Sequence, residues 1–171
     1  MNNENIILIG FMGVGKGTVA RAIVKKSDYF SVDTDDLIES LENKKIKKIF
    51  EQNGEAYFRN LEKKCALWCE KNITGSIIST GGGFYKQENI KQIGKIVYLE
   101  STFEKILEGI HNSPNAKKKL KKRPLLSNLE EAKKLYEVRI EEYKKVADIV
   151  INVEDWDENI AADKILKAIN K

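Results

Sequence analysis

The sequence predicts an α/β fold, in which a central parallel sheet of about five strands is covered by helices on both faces, giving three layers. Short apolar segments alternate with segments of helical periodicity along the chain. Glycine-rich or acidic motifs follow three of the apolar segments directly. Because parallel strands end at the same edge of a sheet, these three motifs are expected to converge on one crevice.

Five short apolar segments are interpreted as the strands. They are bounded by glycine or polar residues, as is typical of buried strands. The segments are NIILIG, YFSVDTD, GSIISTGGG, KIVYLE and ADIVIN, which begin at Asn5, Tyr29, Gly75, Lys95 and Ala147.

Helices are predicted between these strands from the spacing of apolar residues. Their ranges are 15–27, 35–42, 45–52, 55–71, about 102–110, 128–146 and 157–170. A lysine-rich turn separates 35–42 from 45–52. The segment 111–127 breaks the alternation with a proline turn and a basic run. A connection of this length is usually functional or disordered. We expect a mobile lid there, and a solvated lysine-rich loop without a role is the alternative.

Length and composition predict a single domain spanning 1–171, and a monomer is the default expectation. The net charge of +4, from 30 basic and 26 acidic side chains, does not require a nucleic-acid partner. The apolar segments are too short for a signal peptide or a membrane span, so we expect a cytoplasmic location and no membrane partner. Cys65 and Cys69 share a helical face and are expected to be buried thiols, neither a disulfide nor a zinc site.

The stretch GFMGVGKG, from Gly10 to Gly17, matches a phosphate-binding loop at every position except the last. The backbone N–H groups of such a loop surround phosphate oxygens, and Lys16 adds a mobile positive charge. The last position normally carries a Ser or Thr hydroxyl that binds magnesium, and Gly17 has none. Thr18 lies about 100° further round the helix and does not replace that hydroxyl. Because water is a common magnesium ligand, we expect a working nucleotide site with a more loosely held metal. Its residues are Gly13, Val14, Gly15, Lys16, Gly17 and Thr18.

The motif DTDD supplies carboxylates at the end of the second predicted strand. Asp33 is expected to hold magnesium directly or through water. Asp35 lies two residues further and is expected to accept a hydrogen bond from a substrate hydroxyl, as base or orienting group. Thr34 and Asp36 are interpreted instead as helix-capping residues.

Two arginines and a run of glycines could bind an acidic ligand. Arg59 and Glu62 are three residues apart on a helix, so they can pair either to orient Arg59 toward a carboxylate or as a routine surface ion pair. Arg139 shares a helical face with Tyr136 and Tyr143, and its anionic partner could equally be a structural acid. The glycine run is expected to present free N–H groups to a ligand; it comprises Gly81, Gly82 and Gly83.

The motifs GFMGVGK, DTD, F…GE..FR..E, STGGG, RPLL and R…Y…A, in this order and spacing, resemble the shikimate kinase family over nearly the whole chain. The resemblance implies a P-loop, nucleoside-monophosphate-kinase-like fold with a mobile lid at about 111–127 and a substrate-binding helical segment at about 34–62. It also implies phosphoryl transfer from ATP to shikimate, with magnesium, in chorismate and aromatic amino-acid biosynthesis.

The same resemblance implies roles for individual residues. Lys16 would contact the ATP phosphates, Asp33 would lie on the magnesium side, and Asp35 would bind shikimate hydroxyls and serve as base. Arg123, in the lid, would bind ATP and stabilise the transferring phosphoryl group.

The remaining implied roles concern the rest of shikimate. Arg59 and Arg139 would grip its carboxylate, while Gly82 would offer a backbone N–H. Phe50 and Phe58 would flank its ring.

Two departures from the family pattern leave questions open. Gly17 replaces the Ser or Thr of the family, and the lengthened lid carries lysines and His111 where the family often has an arginine on adenine. Adenine contacts are therefore not assigned.

Several alternatives to the shikimate kinase interpretation remain. GKGT also resembles adenylate kinase, and a gluconate-type kinase is a weaker match. A nucleotide-binding module with little turnover is the alternative from another class. A nucleic-acid binder using KKKLKKR would lack interleaved aromatic residues.

Overall fold

The computed structural model describes residues 4–114, 116–121, 124–155 and 157–170. Its five strands form one parallel sheet in the order β2-β3-β1-β4-β5. The strands are β1 (Ile6–Ile9), β2 (Phe30–Asp33), β3 (Ser76–Ser79), β4 (Lys95–Glu100) and β5 (Ile149–Asn152). The predicted α/β architecture with a parallel sheet is confirmed.

Helices connect the strands and cover the sheet. They are α1 (Lys16–Val24), α2 (Thr34–Glu42), α3 (Ile46–Asn72), α4 (Ile90–Ile93), α5 (Phe103–His111), α6 (Ala116–Lys121), α7 (Leu129–Val146) and α8 (Glu158–Ile169). Each helix predicted from periodicity is present, with ends that differ by up to three residues. Four short elements of the described residues were not predicted: α4, α6 and two 3-10 turns, at Phe84–Lys86 and Pro124–Ser127.

Helix α3 contains a break at Gly54, where the backbone has φ 80° and ψ 177°. This left-handed φ is strained for residues other than glycine. The two predicted helices 45–52 and 55–71 are therefore the two halves of α3 on either side of this break.

The central strand β1 is completely buried and fixes the position of its neighbours. Leu8 is aligned with Ser79 of β3, and Ser79 is aligned with Asp33 of β2. This register brings the segments that follow β1, β2 and β3 to one edge of the sheet, as the sequence predicted.

The segment 111–127 is not the irregular loop that was expected. It contains α6 and a 3-10 turn at Pro124–Ser127. Arg123, the predicted lid arginine, lies outside the described residues. Within the described ranges, none of the helices has the length and apolar character needed to cross a membrane.

Candidate functional site

A cavity of about 940 Å³ opens where the motifs converge. The phosphate-binding loop, the end of β2 and the residues after β3 form one side of it. Helix α5 with the following Asn112, and the segment after β5, form the other side. Its described lining comprises Met12, Gly13, Gly15, Lys16, Gly17, Thr18, Arg21, Asp33, Asp35, Ser79, Thr80, Gly81, Gly82, Lys105, Glu108, Gly109, Ile110, Asn112, Glu154 and Asp155.

The loop between β1 and α1 has the backbone of a phosphate-binding turn. Gly13 and Gly15 have φ of 86° and 97°, which favours glycine. A β-carbon on Gly13 would also lie 2.5 Å from Ile110 Cδ1. Helix α1 begins at Lys16, whose Nζ donates to the carbonyl oxygens of Gly10 and Phe11 at 2.7 and 3.2 Å. The amino group therefore lies at the mouth of the loop.

Helix α2 is capped by Asp33, which corrects the prediction that Thr34 and Asp36 serve this purpose. Asp33 Oδ1 accepts hydrogen bonds from the N–H groups of Asp35 and Asp36 at 2.9 and 3.3 Å. Thr34 is fully buried and its Oγ1 accepts from the N–H of Gly81 at 3.2 Å. Asp33 also lines the cavity, so the cap orients its carboxylate there.

Asp35 lines the cavity, and its carboxylate oxygen Oδ1 is buried without a hydrogen-bond partner in the described part of the chain. Burial, followed by the charges of Asp33 and Glu62, raises the pKa of Asp35 from 3.8 to about 7. Lys16 acts in the opposite direction. A carboxyl group that lines a cavity and has a pKa near neutrality is suited to proton transfer.

The three glycines after β3 each face one charged side chain. A β-carbon on Gly81 would lie 2.7 Å from Asp35 Oδ1. On Gly82 it would lie 2.9 Å from Arg139 Nη1, and on Gly83 it would lie 2.5 Å from Arg59 Nη1. Only glycine lets all three charged groups approach the same turn this closely.

The N–H groups of this turn are only partly available, which corrects another expectation. The N–H of Gly81 is bound to Thr34. Within the described ranges, the N–H groups of Gly82 and Gly83 have no acceptor.

Arg59 is held by two glutamates. Its Nη1 donates to Glu62 Oε2 at 2.6 Å, and its Nη2 donates to Glu55 Oε1 at 3.0 Å. Glu62 is almost completely buried. Burial raises the pKa of Glu62, whereas the hydrogen bond and charge of Arg59 and the charge of Arg139 lower it. The pair predicted from i, i+3 spacing is thus more than a routine surface contact, because one partner is buried.

Arg139 is buried on α7, beside Tyr143. Tyr143 donates its hydroxyl to the carbonyl oxygen of Gly82 at 2.6 Å, which fixes the turn against α7. The expectation that Arg139 shares its face with partly buried aromatic residues is met by Tyr143 and Tyr136. Glu62 is close enough to Arg139 for their charges to interact. It is therefore a structural acidic partner of Arg139, which can also bind an anionic ligand.

Phe50 and Phe58 lie together, with ring centroids 4.7 Å apart, across the break at Gly54. The Cζ of Arg59 lies 5.6 Å from the Phe58 ring centroid. The aromatic pair and both arginines are not part of the described wall of the 940 Å³ cavity. Arg139 lies against Gly82 and Arg59 against Gly83, and the aromatic pair lies beside Arg59.

Some groups at this site were not predicted from the sequence. Thr34 ties α2 to the glycine turn, Tyr143 ties α7 to it, and Ser79 and Arg21 line the cavity next to Gly17. Local patterns do not identify the contacts of Thr34 and Tyr143, since each joins segments that are distant in the sequence. Only the position of Ser79 at a strand end offered a signal.

Comparison with known proteins gives one family. The family model described as shikimate kinase matches residues 12–170. A shikimate kinase from Helicobacter hepaticus is 38% identical over 168 residues, covering 98% of this chain and 97% of that protein. One from Clostridium botulinum strain Loch Maree is 40% identical over 177 residues, covering 98% and 97%.

Solved structures agree. The shikimate kinase from Acinetobacter baumannii in complex with shikimate superposes with a TM-score of 0.86 at 31% identity, covering 98% of this chain and 93% of that chain. The shikimate kinase from Aquifex aeolicus has a TM-score of 0.79 at 33% identity, covering 97% and 96%.

Proposed function

The chain belongs to the shikimate kinase family, and on this premise we propose that it transfers the γ-phosphoryl group of ATP to the 3-hydroxyl of shikimate. The products are shikimate 3-phosphate and ADP, in a step of chorismate and aromatic amino-acid biosynthesis. The fold is accordingly the P-loop, nucleoside-monophosphate-kinase-like fold of that family.

The observation that carries this proposal is the triple glycine turn. It faces a carboxylate at Gly81 and two guanidinium groups at Gly82 and Gly83. A six-membered ring with a hydroxyl at one end and a carboxylate at the other fits this charge pattern. A nucleotide acceptor would not use two guanidinium groups at the far end.

The carboxylate of shikimate binds Arg59 and Arg139 in this proposal. Guanidinium–carboxylate hydrogen bonds are charge-assisted and fix the orientation of the ligand. Glu62 holds Arg59 in place, and the free N–H of Gly82 supplies a further donor. Phe50 and Phe58 flank the ring.

Asp35 then lies at the hydroxyl end, next to the nucleotide. It accepts the proton of the 3-hydroxyl as that oxygen attacks the γ-phosphorus. Because the pKa of Asp35 is raised to about 7, the base form accumulates as the pH rises through neutrality. We therefore expect kcat/KM for shikimate to increase with pH through about this value.

The nucleotide binds along the loop from Gly13 to Thr18. The N–H groups at the start of α1 and the amino group of Lys16 bind its phosphate oxygens. The side chains next to Gly17 suit magnesium as ligands, because Asp33 and Ser79 offer oxygen atoms. Magnesium needs only one or two protein carboxylates. Bound there, magnesium supplies positive charge to the phosphates.

Three further expectations are part of the proposal. Segment 111–127 acts as a lid from which Arg123 reaches the phosphates of ATP. The single domain works as a monomer. It works in the cytoplasm.

The test is ADP release in a coupled assay with ATP, a magnesium titration and shikimate, with AMP and gluconate as alternative acceptors. We expect ADP to form only with shikimate. Turnover with AMP or gluconate in its place would refute the assignment of the acceptor. Nucleotide binding without turnover on any acceptor would identify a binding module.

A further inference from the structure

The absence of a side chain at Gly17 is not required by the fold. The φ of Gly17 is not in the left-handed region. A β-carbon there would lie 3.5 Å from Arg21 Nη1 and 4.0 Å from Ser79 Oγ, which are ordinary van der Waals contacts. A hydroxyl-bearing residue would therefore fit, and glycine at this position is a property of the site itself.

The side chain that borders the open space is Arg21. It lies one helical turn after Gly17 on α1, and side chains on a helix lean toward its N-terminus. Arg21 Nη2 donates to Thr18 Oγ1 at 3.4 Å. Arg21 lines the same cavity as Gly15 and Lys16. Its guanidinium group is thus turned toward the phosphate-binding loop.

This arrangement concentrates positive charge. The N-terminus of α1 carries the positive end of the helix dipole, and Lys16 lies in its first turn. Arg21 adds a second cation there, and no carboxylate of the described chain forms an ion pair with it. Positive charge added at the positive end of a helix dipole attracts a polyanion such as a phosphate chain.

We propose that Arg21 is a phosphate-binding residue of the nucleotide site. Its guanidinium group binds phosphate oxygens of ATP and ADP. In a protein with a hydroxyl at position 17, a metal held by that hydroxyl would contribute positive charge here; in this protein, Arg21 contributes it. This inference rests on the proposed function, because it assumes that the cavity takes a nucleotide.

The test is the affinity for ADP, measured by isothermal titration calorimetry once with magnesium and once with EDTA. The variant is Arg21→Gln, which removes the charge from an exposed side chain. The matched control is Lys25→Gln, one turn further along α1, which removes the same charge outside the cavity. Thermal melting checks that both variants fold.

In EDTA, we expect Arg21→Gln to weaken ADP binding about 10-fold, the usual effect of losing a charge-assisted hydrogen bond. With magnesium we expect a smaller loss. Lys25→Gln should change affinity less than about 2-fold, since an exposed distant charge is screened. Adding Gly17→Ser to Arg21→Gln should restore affinity only when magnesium is present.

The outcomes separate the two proposals. If the wild-type protein binds ADP and Arg21→Gln matches Lys25→Gln under both conditions, Arg21 has no role and the proposed function stands. If the wild-type protein binds no ADP under either condition, the proposed function fails and this inference fails with it.

Discussion

Replacing Asp35 by asparagine is expected to stabilise the fold while it removes the proposed base. The carboxylate has a buried oxygen without a hydrogen-bond partner in the described chain, and burial raises its pKa from 3.8 to about 7. At about 1.4 kcal/mol for each tenfold change, ionised Asp35 costs the folded state about 4 kcal/mol. Asparagine has nearly the same shape and carries no charge.

The sign of the pH dependence follows from the raised pKa. The stability contributed by protonated Asp35 is fully present below pH 3.8 and is lost as the pH rises through about 7. The advantage of Asp35→Asn should therefore grow from about 1 kcal/mol at pH 4.5 to about 4 kcal/mol at pH 8. The difference of about 3 kcal/mol between the two pH values tests the electrostatic effect more directly than either value alone. A packing change caused by the substitution would affect stability equally at both pH values and cancels in this difference.

The assay is urea denaturation of the wild type and the variant at both pH values, together with turnover and ATP binding. Asp36→Asn is the matched control, since Asp36 is the next residue on α2 and is exposed. We expect that control to change stability by less than about 0.5 kcal/mol at either pH. A gain for Asp35→Asn that is equal at pH 4.5 and pH 8 would refute the electrostatic argument. Retained turnover would remove Asp35 from the mechanism.

Three other substitutions test the rest of the site. Gly82→Ala should raise KM for shikimate about 10-fold, because the new β-carbon would lie 2.9 Å from Arg139 Nη1 and displace it; an unchanged KM would exclude Arg139 from the carboxylate site. Glu62→Gln should raise KM for shikimate about 5-fold by loosening Arg59, and an effect on kcat alone would argue against this role. Gly17→Ser should lower the magnesium concentration that gives half the maximal rate, whereas an unchanged requirement would show that water already replaces the hydroxyl.

Two controls accompany the Glu62 and Gly82 variants. Glu55→Gln removes the exposed glutamate that also binds Arg59, and we expect a smaller change in KM than for the buried Glu62. Thermal melting of Gly82→Ala should resemble the wild type, because Gly82 does not have a left-handed φ and the displaced group is the end of a flexible side chain.

The sheet could be predicted from the sequence because its signals are local. Apolar segments of strand length and the loop from Gly10 to Lys16 mark their own structure. The Arg59–Glu62 pair followed from helical spacing alone. The convergence of the motifs followed from the rule that parallel strands end at one edge.

What could not be predicted depends on contacts between distant segments. Asp33 and Thr34 are both good capping residues, and the choice between them depends on where β2 ends against Ser79. The bond from Gly81 to Thr34 joins residues 47 positions apart. Helix α6 was missed because Leu120 is almost alone among lysines, which leaves no apolar periodicity to detect.

The central claim is that the glycine turn orients an acidic ring substrate between the arginines and Asp35. The most direct measurement is a crystal structure of this protein with shikimate. We predict that the shikimate carboxylate binds Arg59 and Arg139 and that a ring hydroxyl lies within hydrogen-bond distance of the Asp35 carboxylate. A carboxylate bound at Lys16, or a hydroxyl distant from Asp35, would contradict it.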